Sequence, residues 1–288
     1  MVVVVAVPFV WAIYLSFTNA IGGSLSGDWV GFDNFKNAWQ DENFRRALRN
    51  TFIFTLASQA IVVVGAAVLS NFLVREFRGR WIVRFLVVLP WAAPVVLSTI
   101  AWLWLLDSLY SVVNWTLARL QLDNALLWFL GAVNIEEDAQ VPLQWLGRPH
   151  LALLAITLVH AWRILPFAVV IFIAGRASIP NEVEDAARID GATGLKKLWY
   201  VDIPLQLPIA LVAVLFGIVF TAVDFAVVYV LTRGGPFNST QVLPTWAYFV
   251  GIDGGSLGEG AAISLFLFPL LVVVTVAILF FARRAQVS

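Results

Sequence analysis

Two groups of residues bring polar chemistry into a chain that is otherwise apolar. The first is the stretch Glu184-Asp185-Ala186-Ala187-Arg188-Ile189-Asp190-Gly191-Ala192, which runs on to Val201-Asp202-Ile203-Pro204. Carboxylates beside alanine and glycine form a surface that another protein's backbone can approach closely while a basic group pairs with the acid. A loop of this kind adds nothing to bilayer stability: by charge and capping alone it reads as an ordinary interfacial loop, and the competing reading is a grip for a separate protein at the membrane surface. The second group is Asp224, with Trp162-Arg163 on a different apolar run. Charge at bilayer depth is costly unless it faces a partner or a cavity. Asp224 either offers a hydrogen-bond acceptor to a solute or pairs with Arg163, and the residues leave both open. His150 and His160 do not make a metal-ligand pair on one helix face, and His160 reads as a packed, hydrogen-bonded histidine rather than a proton relay. With no cysteine there is no thiolate nucleophile, disulfide or thiolate metal site. No catalytic residue and no metal site is expected.

The elements that position these groups follow from composition. Hydrophobic residues make up 61% of the 288 and charged residues 12%, about half the charge of an average soluble chain. So few charges cannot coat a soluble domain, so lipid is the main solvent. The net charge is zero, which gives no reason to expect nucleic acid as a partner. A spanning helix needs ~20 apolar residues. Such runs occur at Met1–Gly27, Asn50–Val74, Phe85–Leu106, Leu151–Gly175 (interrupted by Arg163), Leu205–Thr232 (interrupted by Asp224) and Gly260–Ala282. They predict six spanning helices in one transmembrane domain over residues 1–288, with an outer loop at about 107–149 and a polar loop at about 177–204. The first run lacks a basic leader and is rich in aromatics, unlike a cleaved signal peptide. With nothing ahead of Met1–Val5, whether the native N-terminus is longer stays open. Ser108–Ile135, broken by Arg119 and Asp123, is expected to hold short outer or re-entrant helices rather than a seventh span.

Basic residues set the orientation. Loops bearing Arg75, Arg78, Arg80, Arg84, Arg176, Arg188, Lys196 and Lys197, with the tail bearing Arg283 and Arg284, hold the larger share of the 18 Lys and Arg. These loops and both termini are expected on the cytoplasmic side.

Locally, the polar loop reads as a helix-turn-helix lying on the membrane surface. Ile179-Pro180 stops one helix and starts the next, with Ser178 or Asn181 as cap and Glu182, Glu184 and Asp185 at its positive end. Gly191 permits a sharp exit with positive φ. Leu195–Tyr200 is amphipathic, and Ile203-Pro204 opens the fifth span.

The order Asp185-Ala186-Ala187, Gly191, Val201 and Ile203-Pro204 resembles the cytoplasmic "EAA" loop of permease subunits from binding-protein-dependent ABC importers. It departs mildly, with Asp for Glu, Val for Ile and Ile for Leu, so either Glu184 or Asp185 could supply the acid. The core Ile189-Asp190-Gly191-Ala192 narrows the likeness to the carbohydrate-uptake group of maltose-type and glycerol-phosphate-type permeases. Val30–Phe35, Asn50-Thr51, Phe77–Arg80, Leu89-Pro90-Trp91 and Leu231–Pro236 are similar to that group's segments, in the same order over nearly the whole chain. Asp123–Gln144 is longer and more acidic than the group's pattern.

The resemblance implies an all-α, six-helix type I importer permease moving a sugar or related polyol across a bacterial or archaeal cytoplasmic membrane by alternating access. It implies as partners a second, related permease chain, two ATPase subunits and an extracytoplasmic solute-binding protein. ATP and Mg are used by the ATPases; this chain has no Gly-rich phosphate loop with Lys-Ser/Thr and binds no cofactor. Glu184, Asp185, Ala186, Ala187, Asp190, Gly191, Ala192, Ile203 and Pro204 are then the ATPase-coupling set. Asp224, Phe225, Tyr229, Phe220, Trp162 and Arg163 are the solute-pathway set, a carboxylate for sugar hydroxyls with rings to stack on. The alternatives are an ion-coupled secondary transporter, an ABC permease for amino acids or peptides, and an intramembrane enzyme. The last lacks the clustered His, Asp or Glu it needs.

Overall fold

Apolar runs become helices here because lipid offers no partner for backbone N–H and C=O groups. The computed structural model describes residues 2–24, 26–122, 143–192 and 194–287, so most of the acidic outer stretch 123–144 lies outside the described residues. The described elements are α1 (Val2–Ser16), α2 (Asp33–Gln40), α3 (Glu42–Val74), α4 (Arg80–Ala92), α5 (Val95–Leu105) and α6 (Val112–Arg119). After the gap come α7 (Pro149–Ala177), α8 (Asn181–Ile189), α9 (Leu195–Lys197) with a π-helical turn at Leu198–Asp202, α10 (Ile203–Ala222) and α11 (Ala226–Thr232). The chain ends with α12 (Leu243–Tyr248), a second π turn at Phe249–Asp253, α13 (Leu257–Leu265) and α14 (Leu267–Val287).

Among the described residues, four stretches are long and apolar enough to cross a membrane: Glu42–Val74, Pro149–Ala177, Trp199–Ala222 and Leu257–Arg284. The other two expected spans depart from simple rods. Phe85–Leu106 is two helices bent by 102° between α4 and α5. The cause is Ala93-Pro94: a residue before proline is pushed out of the helical region, and Ala93 sits extended at φ −72°, ψ 140°. Met1–Gly27 holds only the 15-residue α1 and then turns back in a bridge between Thr18 and Trp29. The expected fifth run also breaks: α10 ends at Ala222 and α11 begins at Ala226, so Asp224 stands in a gap between helices rather than inside one. Of the expected outer helices, α6 is present; residues 123–135 lie outside the described residues.

Helix α7 is the central post. Of its most apolar window 56% is buried, against 11% for the fifth and sixth spans, whose faces are left for lipid or another chain. Small residues let α3 and α7 approach: Ala66, Ala161 and Ala168 are buried in a core with Val62, Ile164 and Phe172. At one end of the bundle the Arg84 guanidinium donates to the Leu73 carbonyl at 2.8 Å, and Arg176 bonds Asn71 near the end of α3. The Arg75–Arg84 turn and the polar loop therefore share that end. At the other end, the Asn50 amide donates to the Ser239 and Gln241 carbonyls at 2.7 and 3.0 Å, fastening the 233–241 loop to α3.

The second π turn and α13 approach most closely at a pair of glycines, Gly251 and Gly260. A Cβ on Gly260 would stand 2.4 Å from the Gly251 Cα, in backbone that cannot yield as a side chain does. Gly260→Ala is expected to lower stability by about 1–3 kcal/mol, as overpacking of a tight core does. The check is the thermal unfolding midpoint of the purified protein in detergent, which should fall.

Candidate functional site

The polar loop forms an elbow between α7 and α10. Pro180 immediately precedes α8, as expected, but the Ser178 hydroxyl donates back to the Gly175 carbonyl at 2.8 Å and so finishes α7 instead of capping α8. Asn181 is already helical, so neither expected residue occupies the cap position. At the far end Gly191 adopts φ +72°, and the Ala192 N–H reaches the Ala187 carbonyl at 2.8 Å. That six-to-one bond through a left-handed glycine is the Schellman ending of a helix. Asp185, Ala186, Ile189, Asp190 and Gly191 are exposed, Ala192 is half-buried and Ala187 is buried. Ile203 and Pro204 are exposed at the first turn of α10. The Glu184 side chain lies outside the described residues, so the choice between Glu184 and Asp185 stays open. The elbow thus presents an acid, small residues and an 86%-exposed Ile189 outward.

The second site lies where the fifth span breaks. The Arg163 guanidinium donates to Asp224 Oδ2 at 2.6 Å, and His160 Nδ1 lies 3.5 Å from the same oxygen. Asp224 Oδ1 accepts the Val227 N–H at 3.0 Å, which holds the first turn of α11. On its other side, His160 Nε2 meets the Thr221 hydroxyl at 3.0 Å, and the Gln59 amide donates to that hydroxyl at 3.0 Å. One network therefore ties α3, α7, α10 and α11. Asp224 and His160 are buried, and Arg163 keeps 14% of its side chain exposed. The open alternative resolves toward pairing: both oxygens of Asp224 are engaged within the chain. His160 is packed and hydrogen-bonded, as expected.

The expected aromatic set divides. Phe225 stacks on Tyr229 at 4.8 Å, and Tyr248 joins both at 5.1 and 5.4 Å. Phe220 belongs elsewhere, packing with Phe167 at 5.7 Å, Trp91 and Phe216. Trp162 sets its edge on Trp102 at 5.4 Å. Beside the first cluster lies an open groove of about 410 Å³ lined by Phe225, Tyr248, Gly251, Ile252, Gly260 and Ser264, among others. Asp224 is not in its lining. Aromatic rings beside glycine backbone suit the apolar faces of a ring-shaped solute.

Sequence reading missed Tyr248, Gly251, Gln59 and Thr221. Gln59 had a usable signal, since Thr51, Thr55, Ser58, Gln59 and Ser70 form a polar stripe on α3, all buried; Thr221 stands outside that stripe, on α10. Tyr248 and Gly251 had none, because only the turn at Phe249–Asp253 brings them beside Phe225.

Residues 62–287 match the family model described as "Binding-protein-dependent transport system inner membrane component". The diacetylchitobiose uptake system permease protein DasB of Streptomyces coelicolor is 29% identical, over 82% of this chain and 68% of that protein. The trehalose/maltose transport system permease protein MalF of Thermococcus litoralis is 28% identical, over 87% of this chain and 78% of that protein. A crystal structure of a bacterial ABC transporter that imports the acidic polysaccharide alginate shares the fold, with TM-score 0.75 and 21% identity over 94% of this chain and 88% of that one.

Removing one partner of a buried ion pair strands the other charge. Arg163→Met alone is expected to cost about 3–5 kcal/mol, and Arg163→Met with Asp224→Asn to recover most of it. A thermal-unfolding double-mutant cycle on the purified protein measures both.

Proposed function

This chain belongs to the binding-protein-dependent transport system inner membrane component family, and we propose that its solute is a sugar or related polyol. It is a non-catalytic, multi-pass membrane subunit of an ABC importer. The observation that carries the reading is the family match over 62–287, which takes in both the exposed elbow and the aromatic groove. The sugar class is supported by the solutes for which the diacetylchitobiose and trehalose/maltose permeases are named and by the ring-lined groove. Neither observation favours an ion-coupled carrier or an amino-acid permease.

In this reading the end bearing Arg75–Arg84 and the elbow faces the cytoplasm, with both termini, by the excess of basic residues. Two ATPase subunits bind ATP and Mg there. One receives the elbow: Glu184 or Asp185 pairs with a basic group, while Ala186, Ala187, Asp190, Gly191 and Ala192 admit its backbone and Ile203-Pro204 starts the span that moves. A related second permease covers the bare faces of the fifth and sixth spans, and an extracytoplasmic binding protein delivers the solute. ATP and solute each bias a two-state switch between inward-open and outward-open arrangements.

Solute contact falls to Phe225 and Tyr248 in the groove, with the Tyr229 ring stacked on Phe225 and setting its position. Asp224, Arg163 and His160 act one step back, fixing the short helix that carries Tyr229. Phe220 and Trp162 pack the surrounding spans.

Gly191→Trp puts a bulky Cβ-bearing residue at positive φ on the docking face. It is expected to leave the chain in the membrane while ATPase subunits no longer copurify and uptake is lost; normal copurification would remove the elbow from the coupling role. Tyr229→Ala is expected to raise the half-saturation concentration for uptake by roughly three- to tenfold, the worth of one aromatic contact, with assembly intact. An unchanged uptake curve would take Tyr229 out of the pathway.

A further inference from the structure

The elbow's outward face explains how a motor could hold it, but force must also leave the elbow and enter the bundle. Among the described residues of α8, Ala187 alone is buried. The firm attachment lies further on, at the last residue of the π turn. Asp202 is only 5% exposed. Its Oδ2 lies 3.5 Å from Arg176 Nη1, in the last turn of α7, and its Oδ1 lies 3.6 Å from Lys197 Nζ within the elbow. The same Arg176 nitrogen donates to Asn71 Oδ1. Asn71 is held in turn, its amide donating to the Ala67 carbonyl at 2.8 Å. One guanidinium therefore joins the ends of α3 and α7 to the start of α10. Immediately beside it the helices are in hard contact, since a Cβ on Gly175 would lie 3.1 Å from Ile209.

We propose that Asp202, with Arg176 and Asn71, is a transmission clamp: a positioning residue that makes displacement of the elbow move α3, α7 and α10 as one body. This rests on the elbow being the docking site of the ATPase. Two charges on one carboxylate, both nearly out of water, resist separation far more than a surface pair does. Asp202 sits where the chain passes from elbow to span, so a push on α8 arrives there before it can reach the groove. Without the carboxylate the π turn absorbs the push, and the motor turns over while the passage stays still.

The test uses the assembled transporter in proteoliposomes, with Mg-ATP as the probe. The chain has no cysteine, so Ile252→Cys, an exposed residue of the groove lining, gives this chain one thiol whose labelling by a membrane-impermeant maleimide reports passage opening with and without Mg-ATP. Asp202→Asn in that background is expected to retain its ATPase subunits and to hydrolyse Mg-ATP. The ATP-dependent change in labelling should shrink at least about fivefold, and Asp202→Glu should restore most of it. A labelling change that survives Asp202→Asn would overturn the clamp. Loss of ATPase subunits from Asp202→Asn would also overturn it, by making Asp202 a docking or folding residue. If instead Gly191→Trp keeps its ATPase, the docking reading fails, and that outcome is separate from these.

Discussion

The bond between Asp224 and Arg163 is the constraint on which the inner structure turns. A break in a spanning helix exposes backbone amides to a medium that cannot solvate them. Asp224 meets that cost by accepting the Val227 amide on one oxygen and the Arg163 guanidinium on the other. The carboxylate therefore neutralises a buried cation and starts a new helix at once. Because Arg163 belongs to the central α7, the start of α11 takes its place from the best-packed helix in the chain. The ring of Tyr229 and the wall made by Phe225 inherit that position.

The two ends of the molecule are built by different means. At the end bearing Asn50 and the 239–241 segment, side-chain amides and backbone carbonyls interlock. At the elbow end ion pairs are added, Arg176 with Asp202 and Lys197 with Asp202, beside the arginine hydrogen bonds to α3. Between them the fifth and sixth spans keep mostly bare apolar faces, as a subunit must if other subunits and lipid complete its core. A rigid centre, an exposed handle and bare flanks together suit rigid-body switching.

Features set by a residue and its immediate neighbours were legible in the sequence. Pro180, Gly191 and Pro204 each act on backbone within a few residues, and the elbow stands where they imply. Hydropathy found the spans but could not see shape, because an apolar run reads alike whether straight or bent. Ala93-Pro94 carried the bend between α4 and α5, hidden inside a run scored only for its apolarity. The break at Asp224 had no proline or glycine to mark it and depends on Arg163 from another helix. For the same reason Phe220 and Phe225, close in sequence, part company across the unwound residues. The pairing of Arg176 with Asp202 spans the whole elbow, and no local pattern encodes it.

The π turn at Leu198–Asp202 has an arithmetic consequence. A π turn takes in one residue more than an α turn, and one residue is about 100° of helix. The segment ahead of it is therefore wound about a quarter-circle away from the azimuth that an unbroken helix would dictate. The face that the elbow presents and the bearing of the span that follows it are thus indexed separately. Evolution can re-aim one by gaining or losing a single residue here, leaving the other where it was.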